Sequence, residues 1–257
     1  MVYFDNFYQE MAYFASIVVG IFSYYVMALM FKRNQEKKSD VVRTLTIVVL
    51  FLSSAVIIDP LLFTIFRLYG LQGASWDYAT NVQSTFSFGL AGIANAFLVT
   101  FLIKVFTEGK YPWYSYIFII LELAILPVGL TLAIIGQDTL PILLVLVVTS
   151  LVIYAVQIIA AIRLRRRIKE RNDPIAYQGV LYIGISGIFL IATFVSFVLQ
   201  EVAKQVPDFV TIGLMQGESS IFITLGWIFA GITAYYLYVG YIIPEWIKKR
   251  WAKKVLN

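Results

Sequence analysis

Seven stretches of the chain stay apolar for about 20 residues or more, the length a helix needs to cross the hydrocarbon core of a bilayer. They fall roughly at 11–31, 44–69, 82–106, 112–136, 140–163, 178–203 and 217–243. Backbone N–H and C=O groups inside lipid must be paired within the chain, so each stretch is predicted to be a helix. The period-two alternation of a membrane barrel is absent. Composition agrees: 60% of residues are hydrophobic, 14% are charged, and the mean hydropathy is +0.83. Soluble domains run near about 45–50% apolar and about 25% charged. The expected fold class is an all-α integral membrane seven-transmembrane-helix bundle, with residues 1–257 forming a single domain. Disorder, a nucleic-acid partner and an ordinary cytosolic enzyme do not fit this composition.

Positive charge sets the expected orientation. Of the 20 lysines and arginines, all except Arg67 and Lys204 fall in the segments after the first, third, fifth and seventh spans. The N-terminus is therefore predicted outside and the C-terminus cytoplasmic. An even number of spans would spoil this partition. The first apolar run follows Asp5 and Glu10 and lacks a basic leader, so span 1 reads as a retained anchor. The expected location is the plasma (cell) membrane, as a multi-pass protein.

The chain has no Cys and no His. Thiolate nucleophiles, disulfides, His-ligated haem and the usual zinc sites are thereby removed. So is the commonest general base at neutral pH. No phosphate-cradling Gly-rich loop, closely spaced carboxylate pair or metal-ligand cluster is visible. No cofactor and no enzymatic activity are expected.

Polar residues inside the spans are the functional candidates. Glu122 lies about 10 residues into the fourth span, or about 15 Å deep. A carboxyl group there is costly and must face protein, water or a partner. It reads as a proton, cation or ligand-anchoring site, or as an interhelical hydrogen bond that fixes packing. Asp59 precedes Pro60, whose missing N–H frees the Val56 carbonyl. A broken helix of that kind can hold a ligand or simply satisfy itself locally. Asn95 borders the small-residue stripe Gly89, Gly92, Ala96, where span 3 can approach a neighbour closely. Gln157 is the corresponding polar residue of span 5, and Glu218 sits before span 7.

Two basic clusters face the predicted cytoplasmic side. One contains Arg163, Arg165, Arg166 and Arg167. The other is the tail, where Ile247, Trp251 and Val255 repeat at spacing 4 among Lys248, Lys249, Arg250, Lys253 and Lys254. The tail reads as a short basic amphipathic helix on anionic lipid headgroups. Ordinary positive-inside anchoring accounts for both clusters as well.

Seven spans, an outer N-terminus and a short amphipathic eighth helix resemble the seven-transmembrane receptor and sensor architecture. The resemblance is one of topology and covers nearly the whole chain. Residues 217–247 contain no Lys, so the retinal Schiff base of opsins is not implied. The end of span 3 reads Phe101-Leu102-Ile103-Lys104-Val105-Phe106, without an Asp-Arg-Tyr-type motif. The resemblance implies a receptor-like protein that binds a small, largely apolar ligand within the bundle, near Asp59, Asn95, Glu122 and Glu218, and signals to a separate cytoplasmic or membrane partner. The alternative is a small transporter or ion- or proton-conducting protein using Asp59 and Glu122.

Overall fold

The computed structural model describes residues 7–71, 74–107, 113–136, 140–170, 173–205, 215–216 and 219–243. These form α1 (Phe7–Lys37), α2 (Asp40–Leu68), α3 (Ala74–Phe106), α4 (Trp113–Ile134), α5 (Leu140–Glu170), α6 (Pro174–Gln205), β1 (Met215–Gln216), β2 (Ser219–Ser220) and α7 (Ile221–Ile242). All seven helices are long and apolar enough to cross a membrane. The protein is an all-α, multi-pass integral membrane protein, with seven helices among the described residues.

Each helix packs on the next in sequence, and α1 closes the ring against α7. Cross-links between α1 and α2 show the antiparallel register: Tyr13 pairs with Thr64 and Tyr24 with Ser54. The face of the bundle where α1 begins is here the N-face, and the opposite one the C-face. α3 steps furthest inside the ring, touching α5 as well as α2 and α4. It is also the most buried span. One hydrophobic core runs through all seven helices, with Met30, Leu45, Leu98, Ile125, Leu146, Leu190 and Leu237 among its members.

In lipid the usual amphipathic logic is inverted, because apolar side chains can point outward at no cost. On α5, Leu144, Val148, Val152, Val156 and Ile159 form an exposed apolar stripe. Ser150, Tyr154, Gln157 and Ala161 recur at helical spacing on the buried side. Polarity, not hydrophobicity, marks the interior of this helix.

Small residues set how close the helices come. A Cβ on Gly179 of α6 would lie 2.7 Å from the Gly240 carbonyl oxygen of α7. A Cβ on Gly240 would lie 2.9 Å from the Gly179 carbonyl oxygen. Backbone meets backbone there, so neither side can yield. The predicted stripe on α3 behaves likewise, with Gly89 against Leu126 and Gly92 against the Glu122 carbonyl of α4.

Most helices extend past their expected spans, α3 beginning at Ala74 rather than at 82 and α1 running on to Lys37, and two further differences bear on function. The last helix begins at Ile221 rather than at 217, because Met215–Gln216 and Ser219–Ser220 pair as a short antiparallel hairpin. The Ser220 hydroxyl then accepts from the Phe222 N–H and caps the helix. The hairpin rests on α1, α6 and α7 at the N-face. At the other face, α5 does not end with its apolar run but continues through Arg163–Lys169, since Arg and Lys are good helix formers with water at hand. These side chains sit on a helix extension and not in a loop.

Replacing Gly179 with Ala forces α6 and α7 apart. The expected cost is about 1–3 kcal/mol, read as a lowered thermal unfolding midpoint in detergent. An unchanged midpoint would contradict the close approach.

Candidate functional site

Glu122 is fully buried, and the helices around it explain how. Gly92 of α3 brings that helix so near α4 that an added Cβ would sit 2.7 Å from the Glu122 carbonyl oxygen. The carboxyl group therefore reaches both α3 and α5. The Thr149 hydroxyl lies 2.6 Å from its Oε1, and the Asn95 amide donates to its Oε2 at 3.3 Å. Asn95 also donates to the Ser150 hydroxyl at 2.7 Å. Its own carbonyl Oδ1 accepts from the Tyr154 hydroxyl at 2.7 Å. Three helices thus meet in one polar knot, with Asn95 and Tyr154 as buried as Glu122. None of the hydrogen-bond partners of Glu122 is a cation.

The other predicted residues lie elsewhere. Asp59 of α2 pairs with Gln83 of α3, whose Nε2 donates to Oδ1 at 2.8 Å and to the Asp59 backbone carbonyl at 3.1 Å. Gln83 and Asn95 are 12 residues apart on α3, which separates the two acids by about 18 Å along that helix. Asp59 and Glu122 therefore belong to two sites. Gln157 forms a third link: its Nε2 donates to the Ile183 carbonyl at 2.8 Å and to the Ser186 hydroxyl at 2.9 Å, clasping α5 to α6. Glu218 and the tail residues Lys248, Lys249, Arg250, Lys253 and Lys254 lie outside the described residues.

The N-face half of the bundle holds a second grouping that the sequence reading did not single out. Val56 of α2 and Trp227 of α7 share a small hydrophobic cluster. Phe88 of α3, Phe197 of α6 and Trp227 contact one another in series, edge to face, at centroid distances of 5.8 and 4.9 Å. Buried polar atoms of this half without a hydrogen-bond partner in the protein include Gln83 Oε1, Thr85 Oγ1 and Ser87 Oγ on α3 and Thr224 Oγ1 and Trp227 Nε1 on α7. Gln83 and Ser87 are one turn apart on α3, and Thr224 and Trp227 about one turn apart on α7. A buried indole N–H normally finds a partner. Above them Gln200 of α6 accepts from both the N–H and the hydroxyl of Ser220, fastening the hairpin over this end.

At the C-face, Lys104 donates to the Thr44 hydroxyl at 3.0 Å and joins α3 to α2. Arg163, Arg166 and Arg167 are exposed on the extension of α5, while Arg165 stacks over the Tyr177 ring at 4.0 Å. Among the described residues, no group of His, Cys, Asp or Glu could hold a metal ion. Of the knot, the sequence reading named Glu122 and Asn95 but missed Thr149, Ser150 and Tyr154. The spacing Ser150, Tyr154, Gln157 through an apolar run was the available signal.

The knot predicts an order of substitution costs. Tyr154→Phe removes one donor and leaves one acceptor bare, for about 0.5–1.5 kcal/mol. Asn95→Leu removes three bonds at once and should cost more than Tyr154→Phe. Reversible unfolding in mixed micelles ranks the two, and equal costs would contradict the hub role of Asn95.

The chain matches no protein-family model, no curated protein and no solved structure.

Proposed function

We propose that this is a receptor-like seven-helix membrane protein that binds a small, largely apolar ligand in the N-face half of its bundle. The observation that carries the reading is the set of partnerless buried polar atoms, Gln83 Oε1, Ser87 Oγ, Thr224 Oγ1 and Trp227 Nε1, beside an aromatic wall. Unpaired buried polar groups are rare in native proteins and call for a reason such as bound water or a ligand. Ligand sites typically combine apolar lining with a few placed polar groups. A ligand suited to this set of atoms has an aromatic or aliphatic body, an acceptor for the indole N–H and a donor for the Gln83 carbonyl.

The orientation proposed from the charge partition places the N-face outside, so the proposed site lies in the half of the bundle away from the cytoplasm. The hairpin of β1 and β2 then lies at its outer end. The exposed arginines Arg163, Arg166 and Arg167, with Arg165 and the basic tail, face the cytoplasm as a surface for anionic lipid headgroups or a signalling partner. The alternative, a transporter using Asp59 and Glu122 together, draws less support, since about 18 Å of α3 separates their partners.

Native mass spectrometry of the gently purified protein, with Trp fluorescence during addition of candidate ligands, tests the reading. A retained organic molecule, displaced by a compound that shifts Trp227 emission and raises the unfolding midpoint, is the expected outcome. Trp227→Phe should weaken such a ligand by about 1 kcal/mol, the value of one net hydrogen bond. A bare protein that no ligand stabilises, with Ser87→Ala and Trp227→Phe indistinguishable from the parent, would overturn it.

A further inference from the structure

We infer that Glu122 is a proton-exchange site, whose shell can satisfy the hydrogen bonds of the carboxyl group both with and without its proton. The hydrogens of the shell match its acceptors in both states. Thr149 has one hydroxyl hydrogen and three acceptors in reach: Glu122 Oε1 at 2.6 Å, the Val145 carbonyl at 2.9 Å and the Leu146 carbonyl at 3.1 Å. With Glu122 ionised, Thr149 donates to Oε1 and Asn95 donates to Oε2, so both oxygens are satisfied. With Glu122 protonated, its O–H donates to Thr149 Oγ1, and the Thr149 hydrogen turns back to the Val145 carbonyl, a bond common for Thr in helices. The Asn95 amide keeps its bonds to Oε2 and to Ser150 in both states. One hydroxyl rotates, no heavy atom moves, and no polar atom is stranded. The proton taken up from water ends on Oε1 and leaves by the same oxygen.

A purely structural knot would not need an acid. A glutamine has the same shape without the charge, which is expensive inside a membrane. The surroundings do not fix the state from outside either. Of the groups on the helices packed against α4, Tyr154 is the one titratable side chain in the knot, and it reaches Glu122 only through Asn95. Lys104 is about 13 Å farther along α3 from Asn95, and Arg163 about 20 Å along α5 from Ser150. Asp59 lies about 18 Å toward the N-face. On α4 itself, Tyr114 and Tyr116 are exposed on the side away from the bundle.

α4 is the least buried span, and its main helix contacts are α3 and α5. Pro127 lies five residues past Glu122 and leaves the Leu123 carbonyl, next to Glu122, without its usual helical donor. The helix is thereby loosened beside the turn that carries Glu122. Because the carboxyl ties α4 to α3 and α5 together, its protonation changes the strength of that tie. In a chain without histidine, a carboxyl so placed supplies a titratable element inside the bundle.

Infrared difference spectroscopy on the full chain in lipid bilayers, with glutamate isotopically labelled and pH stepped from acid to alkaline, reads the proton directly. The expected result is a labelled protonated-carboxyl band that disappears reversibly as pH rises. It should be lost in Glu122→Gln and retained in Asp59→Asn. Thr149→Val should keep the band but shift its frequency, because the O–H loses its acceptor. A protein whose labelled carboxyl bands do not change over the pH range would overturn the inference. So would a titrating band that persists in Glu122→Gln, or, if that variant does not fold, one whose frequency Thr149→Val leaves unmoved.

Discussion

A carboxyl group in the middle of an apolar helix leaves the surrounding structure little freedom. Glu122 must be met by donors within hydrogen-bond distance, and lipid supplies none. α3 and α5 both come to it, α3 through the bare backbone at Gly92 and the amide of Asn95, α5 through Thr149. This need draws α3 inside the ring of helices and brings it against α5. The side-chain hydrogen bonds then extend to Ser150 and Tyr154, so a single polar centre sets the spacing and rotation of three helices. Apolar packing alone would fix these poorly, since lipid tails compete with any aliphatic contact.

The polar contacts of the bundle fall at distinct levels. Asp59 and Gln83 join α2 and α3 in the N-face half, the Glu122 knot lies deeper, and Gln157 clasps α5 to α6. The Glu122 shell is proposed to hold a proton or release it, and the N-face half holds donors and acceptors that the protein itself does not use. The Gln157 clasp has no titratable group, although its Oε1 is also left without a partner.

Element by element, what could be read from the sequence was what lipid dictates. The seven spans follow from backbone satisfaction, which is a one-dimensional rule. Glu122 and Asn95 stood out because polar side chains are costly there, and Gly89 and Gly92 because only small residues allow close approach. Partners were a different matter. Nothing in a single chain says that Asn95 faces Glu122 whereas Asp59 faces Gln83, because that depends on the relative rotation of three helices. Ser150 and Tyr154 were hidden for another reason: Ser and Tyr are ordinary in membrane helices, and only their shared face on α5 gives them away. The hairpin before α7 escaped notice because its strands are only two residues each and Ser219–Ser220 run directly into the span.

The coupling between Asn95 and Glu122 carries the arrangement of α3, α4 and α5, and a double-mutant cycle measures it. Asn95→Ala, Glu122→Gln and the combined variant would be unfolded reversibly in the same bilayer-like medium. A coupling energy of about 0.5–1.7 kcal/mol is expected for directly bonded side chains in a membrane. Costs that simply add would mean that the two residues do not touch, and that α3 and α4 are held together by something else.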